Sequence, residues 1–413
     1  MTQAHTFLEI PTARDSKLDE TFQPLFDKVA EGNAERENER RFPFEQVRWL
    51  RDARLGSLRV PVARGGFGAS LRQTFSLLAD LAAADPNVAH VWRNHLAFVE
   101  DRLYAAVTPD NEVWLERILA GEFVGGGWTE ANNGTLDDMK TRITEADGGW
   151  QITGAKFYAT GSLYADWLDV LGVGPDGSPL TALVRVAQPG VELLDDWDGF
   201  GQRTTASGSA NYLGARIEPG ALIPLAERNP YLVPFYQVAI LAVMTGILGA
   251  TLTDGIDALK ARKRNYRHGL DPVPARDPQL LQVLGRVSAL SFAARAALDR
   301  ASSSLDAVVA LRVAGAERPE HLRDALVGAN VATSQAQIVI IDAALEGTTI
   351  VFDALGASGT SQRLRLDRHW RNARTLASHN PRIYKERVIG DWAVHGTDPL
   401  SALSGLPVNV QGS

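Results

Sequence analysis

The sequence WQITGAKFYATG, at residues 150–161, is the first of several short β-prone runs in the middle of this chain. Turn signals such as Asp147-Gly148-Gly149 separate these runs from one another. A zone of many short strands predicts a small barrel or sandwich. Three further runs of the same kind follow the first: WLDVLGV at 167–173, LTALVRVA at 180–187 and ANYLGARI at 210–217.

Long helical patterns lie on both sides of this β zone. Asp85-Pro86 and Asp277-Pro278 predict helix starts, because Asp can cap a helix and Pro suits its first position. Residues 325–355 are apolar nearly all round, which predicts a central helix. The sequence therefore predicts an α+β, multi-domain chain: an N-terminal helical domain at 1–120, a middle β-domain at 121–230 and a C-terminal helical bundle at 231–413.

Composition excludes several classes of function. The chain has 413 residues, with 42 Lys and Arg against 49 Asp and Glu, and its net charge of -7 disfavours nucleic-acid and polybasic membrane partners. It contains no cysteine, which excludes thiol catalysis, Cys-ligated zinc and iron–sulfur clusters. The first residues show no signal peptide, so we expect a cytoplasmic protein. The apolar stretch 231–252 contains Pro234 and Gln237 and is interpreted as a buried core helix.

The densest cluster of polar side chains is DRHWRNARTLASHNPRIYK, residues 367–385. His379 and Asn380 precede a predicted helix start, whose free N–H groups could stabilise an oxyanion. The positive end of a helix also lowers the pKa of an imidazolium, which favours a neutral His379 as an acid or base. The alternative is that the arginines pair with carboxylates at a subunit interface and that Asn380 only caps the helix.

Two other segments could line a binding site. GGGWTEANNGTLDDMKT, residues 125–141, lets backbone approach a flat ligand closely and offers Thr129, although a simple turn explains it equally. KFYATGS, residues 156–162, places Tyr158 and Thr160 on one face if it is a strand. That face could form a pocket wall or merely the polar side of a half-buried strand.

Three early polar residues are also candidates. His90 and Asn94 lie one turn apart on a predicted helix and share a face. His95 lies instead among apolar neighbours, where a core histidine is the simpler interpretation. The sequence shows no spacing typical of a metal site and no G-x-S-x-G motif.

The layout and three motifs resemble the acyl-CoA dehydrogenase fold over roughly residues 45–395. The motifs are WTEANNG at 128–134, ITGAKFYATGS at 152–162 and LDRHWRNAR at 366–374. Dehydrogenases of this family carry a catalytic glutamate shortly after the R-[DN]-A-R element, where this chain has His379 and Asn380. Loss of a positioned base costs roughly a hundred- to ten-thousand-fold in rate, so dehydrogenation is not expected.

The DRHWRNAR and SHNP segments resemble instead the flavin-dependent monooxygenases on this fold. The resemblance implies reduced FMN (FMNH2) delivered by an NAD(P)H-dependent flavin reductase, and O2 as co-substrate. It implies a flavin hydroperoxide, a small organosulfur substrate and a homotetramer. The alternatives are an amine N-hydroxylase, an aromatic hydroxylase, an FAD-dependent acyl-CoA-type dehydrogenase, and a flavin-binding scaffold without activity.

The resemblance also implies roles for individual residues. Ser358, in GASGT at 356–360, would reach the flavin phosphate of a neighbouring subunit. No metal ligand is implied. The implied catalytic residues are His379, Thr160 and Asn380; the implied cofactor-binding residues are Trp128, Thr129, Tyr158, Thr160, Trp197, Ser207, Arg267 and Ser358; the implied substrate pocket contains His90, Asn94, His95 and Trp197.

Overall fold

The β zone folds into one mixed sheet of eight strands. The computed structural model describes residues 16–131, 138–315 and 318–400. The four runs predicted as strands correspond to the third, fourth, fifth and seventh strands, which confirms those predictions. The strands are β1 (Val124–Gly127), β2 (Arg142–Ala146), β3 (Gly149–Lys156), β4 (Trp167–Val173), β5 (Pro179–Arg185), β6 (Val191–Leu193), β7 (Ala210–Ile217) and β8 (Leu222–Pro224).

The sheet curls towards a barrel. Its strands follow the order β6-β7-β3-β2-β4-β5-β8, and β1 pairs in parallel with β4. In a flat sheet β7 and β5, four positions apart, would be separated by about 19 Å. They are nevertheless in direct contact, which requires the sheet to bend on itself. No pairing joins β6 to β8 within the described ranges, so the barrel is open along one side.

The first predicted run ends sooner than expected. β3 stops at Lys156, and Tyr158 has a positive φ of 58°, a left-handed conformation that breaks a strand. The backbone N–H of Thr160 then donates to the carbonyl of Tyr158 at 2.8 Å in a tight turn. The expectation that Tyr158 and Thr160 share one strand face is therefore wrong.

The segments before and after the sheet are mainly helical. The carboxylate of Asp85 accepts from the N–H groups of Asn87 and Val88, and Asp277 caps the longer helix that follows it in the same way. Both predicted starts are confirmed. The helices are α1 (Ser16–Ala30), α2 (Asn33–Asn38), α3 (Phe44–Asp52), α4 (Leu71–Ala84), α5 (Pro86–Tyr104) and α6 (Pro109–Leu119) before the sheet, and α7 (Leu232–Ala261), α8 (Pro278–Val313), α9 (Pro319–Leu355), α10 (Asp367–Ala377) and α11 (Arg382–His395) after it.

Helix α7 is the centre of the C-terminal bundle. In the described part of the chain it is the one helix long and apolar enough to cross a membrane, with a mean hydropathy of 1.9 in its most apolar window. Neighbouring helices bury 83% of that window, since α7 packs against α4, α8 and α9. The interpretation of this segment as a core helix is confirmed. The domain boundaries near 120 and 230 stay a prediction, although the secondary structure changes type close to each.

Helices α4 and α7 approach each other closely at a glycine. A Cβ atom on Gly246 would lie 2.2 Å from the carbonyl oxygen of Ala79, whereas a Cβ on Gly249 of the same helix would meet no atom within 4 Å. We expect Gly246→Ala to lower the free energy of unfolding by about 1–3 kcal/mol, because the two backbones must separate. Gly249→Ala should raise it by roughly 0.5–1 kcal/mol. Denaturant unfolding of both variants checks this, and equal effects would contradict it.

Candidate active site

Several of the polar side chains singled out in the sequence lie between the β-domain and the bundle, around the first half of α5. Helix α5 supplies His90, Arg93 and Asn94. The turn after β3 supplies Thr160, which accepts at its carbonyl from the amide of Asn94 at 2.9 Å. The turn between α10 and α11 supplies His379, whose ring lies 3.4 Å (Nε2) from the guanidinium of Arg93 (Nη1).

The amide of Asn380 fixes the position of His379. Its NH2 group donates to the side-chain oxygen of Gln237 on α7 at 3.0 Å and to Nδ1 of His379 at 3.0 Å. The side chain of Gln337 on α9 donates to the carbonyl of Asn380 at 2.6 Å. Two donors face the ring, the NH2 group of Asn380 at Nδ1 (3.0 Å) and Nη1 of Arg93 at Nε2 (3.4 Å), and a neutral ring has a lone pair for only one of them. We assign the lone pair to the shorter contact, at Nδ1, which leaves the proton on Nε2. The turn therefore presents an N–H donor, held between two core helices.

His379 is neutral at physiological pH. The protein around the ring disfavours its charged form, and the nearby charge of Arg93 adds to this, so the pKa lies well below its ordinary value of 6.5. One side of the ring stays open to solvent. The neutral state predicted from the sequence therefore has a different cause: desolvation and Arg93 lower the pKa, and α11 begins only at Arg382.

A chain of buried hydrogen bonds fixes the proton of His90. The amide NH2 of Asn372 donates to Glu37 at 2.7 Å, and its oxygen accepts from the backbone N–H of Gln202 at 2.6 Å and from the side-chain NH2 of Gln202 at 3.2 Å. The remaining amide oxygen of Gln202 lies 3.0 Å from Nδ1 of His90. Nδ1 must then carry the proton, which leaves the lone pair on Nε2.

His90 presents this lone pair without a partner. Its Nε2 atom is buried and has no hydrogen bond among the described residues. Burial, and then the charge of Arg93, lowers the pKa of His90 to about 3, so the ring is neutral. The sequence places Asn372 in the polar cluster 367–385 without giving it this role. Glu37 and Gln202 were not found from the sequence, because they come from separate segments with no shared motif.

Hydroxyl groups form a second cluster beside Asn94. The Oγ1 of Thr160 lies 2.8 Å from the Oγ of Ser207, which in turn lies 2.7 Å from the Oγ1 of Thr205. The resemblance implies a catalytic role for Thr160 and cofactor binding for both Thr160 and Ser207. Because the two hydroxyl groups contact each other, they face the same part of any ligand.

Aromatic rings enclose the site on two sides. Tyr158 is half exposed and packs edge-on against Trp197, with ring centres 5.9 Å apart. Trp128 packs edge-on against Tyr236 at 6.0 Å, and its buried indole N–H has no partner among the described residues. Thr129 is exposed, and its carbonyl accepts from the N–H of Phe157 at 2.9 Å. Residues 132–137 of the glycine-rich loop lie outside the described ranges.

A buried ion pair anchors the loop that carries Trp128. Glu130 accepts from the ammonium of Lys156 at 3.1 Å, from the hydroxyl and N–H of Thr141, and from the N–H of Lys140. Burial opposes the charged form of Glu130, but these donors outweigh it and lower the pKa of the carboxyl to about 2. The loop is therefore tied to the ends of β2 and β3.

His95 does not belong to the site, contrary to its assignment to the substrate pocket. Its Nδ1 accepts from the N–H of Val124 at 3.2 Å, and its Nε2 lies 3.3 Å from the carbonyl of Gly56. The ring stacks on Phe123 with centres 5.0 Å apart. Both ring nitrogens are thus satisfied by backbone inside the core.

Arg267 and Ser358 lie at the other end of the bundle. Ser358 lines a cavity of about 610 Å³ together with Arg262 at the end of α7, and Arg267 is exposed in the segment after that helix. The 25 residues from Gln237 to Arg262 correspond to about 38 Å of helix. Within one chain, neither residue is close to His379.

In the Gln202→Leu variant, we expect the His90 ring to lose its preference for a proton on Nδ1. Without an acceptor at Nδ1, the proton can move to Nε2, and the tautomer ratio should shift by about fivefold, the value of one ordinary hydrogen bond. Nitrogen chemical shifts of the His90 ring measure this ratio. Gln188→Leu, which removes an amide that bonds only backbone groups in another loop, is the control. An unchanged His90 tautomer in Gln202→Leu would contradict the assignment.

The chain is similar in sequence to known flavoenzymes. Residues 238–381 match the family model described as acyl-CoA dehydrogenase, C-terminal domain. The chain is 29% identical over 387 residues to a probable FMNH2-dependent monooxygenase from Pseudomonas putida, covering 91% of this chain and 94% of that one. It is 28% identical over 367 residues to a dibenzothiophene monooxygenase from Rhodococcus erythropolis, covering 85% and 87%.

Two solved structures share the fold over nearly their whole length. Methanesulfinate monooxygenase from Pseudomonas fluorescens has a TM-score of 0.81 and 26% identity, covering 92% of this chain and 97% of that one. FMN-bound TdsC from a Paenibacillus species has a TM-score of 0.81 and 25% identity, covering 93% and 98%. The resemblance seen in the motifs is confirmed: this chain has the acyl-CoA dehydrogenase fold, and in sequence and structure it is similar to flavin-dependent monooxygenases built on that fold.

Proposed function

We propose that this protein is a two-component monooxygenase that uses reduced FMN and O2 to oxygenate a small organosulfur compound. The observation that carries the proposal is the neutral His379 at the position where the dehydrogenases of this fold have a glutamate. Among the described residues, no carboxylate makes a hydrogen bond to His379, His90 or Arg93. The site therefore has hydrogen-bond donors and acceptors but no base for abstracting an α-proton.

The residues present fit a flavin. Two buried polar atoms, Nε2 of His90 and the indole N–H of Trp128, lack partners among the described residues. One is an acceptor and the other a donor, and a flavin ring system carries both kinds of group. A Cβ on Gly126 would lie 2.5 Å from the amide nitrogen of Asn94, so a bare backbone is needed beside the site. Trp128, Thr160 and Ser207 would hold the ring, and reduced FMN supplies the two electrons that activate O2.

Each protein group has a defined task in this scheme. His379 holds a proton on Nε2, where it can donate to an oxygen atom as charge develops there. Asn380 is a positioning residue, because it touches His379 and the core helices. Trp128, Tyr158 and Trp197 exclude water, which raises the strength of every electrostatic contact in the site.

The names of the relatives support the assignment of organosulfur compounds as the substrate class. One sequence relative is named for dibenzothiophene and one structural relative for methanesulfinate. We include in the proposal a separate flavin reductase, a cytoplasmic location and a homotetramer. The separation of about 38 Å along α7 between Gln237 and the C-terminal end of the helix supports the tetramer, since Ser358 and Arg267 could contribute to a cofactor site only on another copy of the chain. Oxygenation of an amine or an aromatic carbon instead is an outcome that the same assay would reveal.

The function is tested with purified protein, a flavin reductase, NADH, FMN and air, and a panel of sulfinates, sulfones and thiophenes to which an amine and an aromatic hydrocarbon are added for the alternatives. We expect an oxygenated product in a fixed ratio to reduced FMN. His379→Ala should lower that ratio by about 10²–10⁴-fold and release hydrogen peroxide instead, because the proton donor is lost. His321→Ala, which removes an exposed histidine on α9, is the matched control. Full product yield from His379→Ala would overturn the role, and formation of peroxide by the wild-type protein without an oxygenated product from any compound of the panel would overturn the function.

The pH profile should reflect the low pKa of His379. The neutral ring is the active form, and activity is lost as the pH falls through the folded-state pKa, which lies well below 6.5. Product per reduced FMN should therefore stay constant from about pH 8 to pH 6, where an ordinary histidine would already be largely protonated. Measurement of product yield against pH in a single buffer series checks this. A decline centred near pH 6.5 would show that the ring has an ordinary pKa.

A further inference from the structure

Arg93 lacks the carboxylate partner that the buried arginines of the described chain have. Arg36 pairs with Asp85 at 2.7 Å, Arg59 with Glu100 at 2.7 Å, and Arg228 with two aspartates. Arg93 has no carboxylate within ion-pair distance in the part of the chain that the structure describes. Its contacts are the carbonyl of Tyr236 at 3.3 Å, the ring of Tyr236 at 4.7 Å and Nε2 of His379 at 3.4 Å.

This unbalanced charge lies inside the candidate active site. Burial lowers the pKa of Arg93 to about 10, so the guanidinium is still charged at neutral pH. Its charge also lowers the pKa values of His90 and His379, which places it electrostatically next to both. Arg93 is nevertheless partly exposed, so a ligand can reach its guanidinium, and an oxyanion bound there would supply the opposite charge that no described residue provides.

Two donors converge on one point beside Arg93. With the lone pair of His379 on Nδ1, the proton is on Nε2. Nη1 of Arg93, which can only donate, faces this N–H group at 3.4 Å. Two N–H groups that face each other at 3.4 Å do not bond, but an oxygen atom next to both can accept from each. Nε of Arg93 donates to the carbonyl of Tyr236. The other N–H groups of the guanidinium can therefore donate to a second oxygen of the same ligand.

We propose that Arg93 and the Nε2–H of His379 bind the negatively charged oxygens of the substrate, and that the substrate is a small organic oxyanion such as a sulfinate, a sulfonate or a carboxylate. This inference rests on the proposed monooxygenase function and narrows its substrate class. It assigns Arg93 to substrate selection and leaves the reduced cofactor to the groups around Trp128 and Thr160. The ring of Tyr236 supports the guanidinium from behind.

The test compares methanesulfonate with methanesulfonamide, its neutral analogue of nearly equal shape. Calorimetric titrations are made on the full-length protein without flavin and, under anaerobic conditions, with reduced FMN. We expect wild-type protein to bind the anion at least about tenfold more tightly than the amide, as a charge-assisted bidentate contact provides. Arg93→Met should abolish this preference, and Arg93→Lys should retain part of it.

Two controls separate the possible outcomes. Arg286→Met removes an exposed arginine that pairs with Glu346 and should leave all titrations unchanged. Arg93→Gln serves as a second variant with a polar side chain, and circular dichroism checks the folding of both. In addition, the pKa of His379, followed by NMR, should rise in Arg93→Met because a nearby positive charge is gone.

Three results would overturn the inference. Equal binding of the two probes by wild-type protein would do so, as would an anion preference that survives in Arg93→Met and Arg93→Gln. A loss of reduced-FMN affinity in these variants, with the preference intact, would assign Arg93 to the cofactor. If instead reduced FMN fails to bind wild-type protein while the preference exists and depends on Arg93, the proposed function fails and the anion site stands.

Discussion

The amide of Asn380 is the group on which the arrangement of the site depends. Its two hydrogens bond to Gln237 and to His379, so one planar group joins the core helix α7 to the catalytic ring. That bond assigns the lone pair to Nδ1 and the proton to Nε2, the nitrogen that faces Arg93. An aliphatic side chain at this position would leave the histidine in place but without a defined hydrogen-bonding role.

Local chemistry explains which parts of the fold could be predicted from the sequence. The helix starts at Asp85 and Asp277 rest on a cap and a proline that act within four residues. The strands β3, β4, β5 and β7 rest on short β-prone runs between turns. Tyr158 marks where this reasoning fails, because its left-handed backbone is imposed by the turn that follows β3 and has no signal in the residue type.

The site was predicted less completely than the fold. His379 contacts Asn380, and Asn94 contacts Thr160, whereas His95 is a core residue. The roles that the resemblance implies for the first four residues stay predictions. Arg93 lies within a predicted helix and belongs to no sequence motif. Only its neighbours in the structure, Tyr236 and His379, show that it faces the candidate site. Glu37, Gln202 and Asn372 contact one another and His90 across sequence separations of 112 to 335 residues, which no periodicity can express.

The hydrogen bonds that run from Glu37 to His90 have one direction, and two groups set it. The carboxylate of Glu37 can only accept and the backbone N–H of Gln202 can only donate, and both contact the amide of Asn372, which is therefore held in one orientation. The oxygen of Asn372 then accepts from the side-chain amide of Gln202, whose own oxygen lies against Nδ1 of His90. With a glutamine in place of Glu37, the backbone N–H would still hold Asn372 and the proton would stay on Nδ1. The proton position on a ring of the candidate site is thus set twice, once by an acidic side chain on the short helix α2 and once by the main chain of another segment.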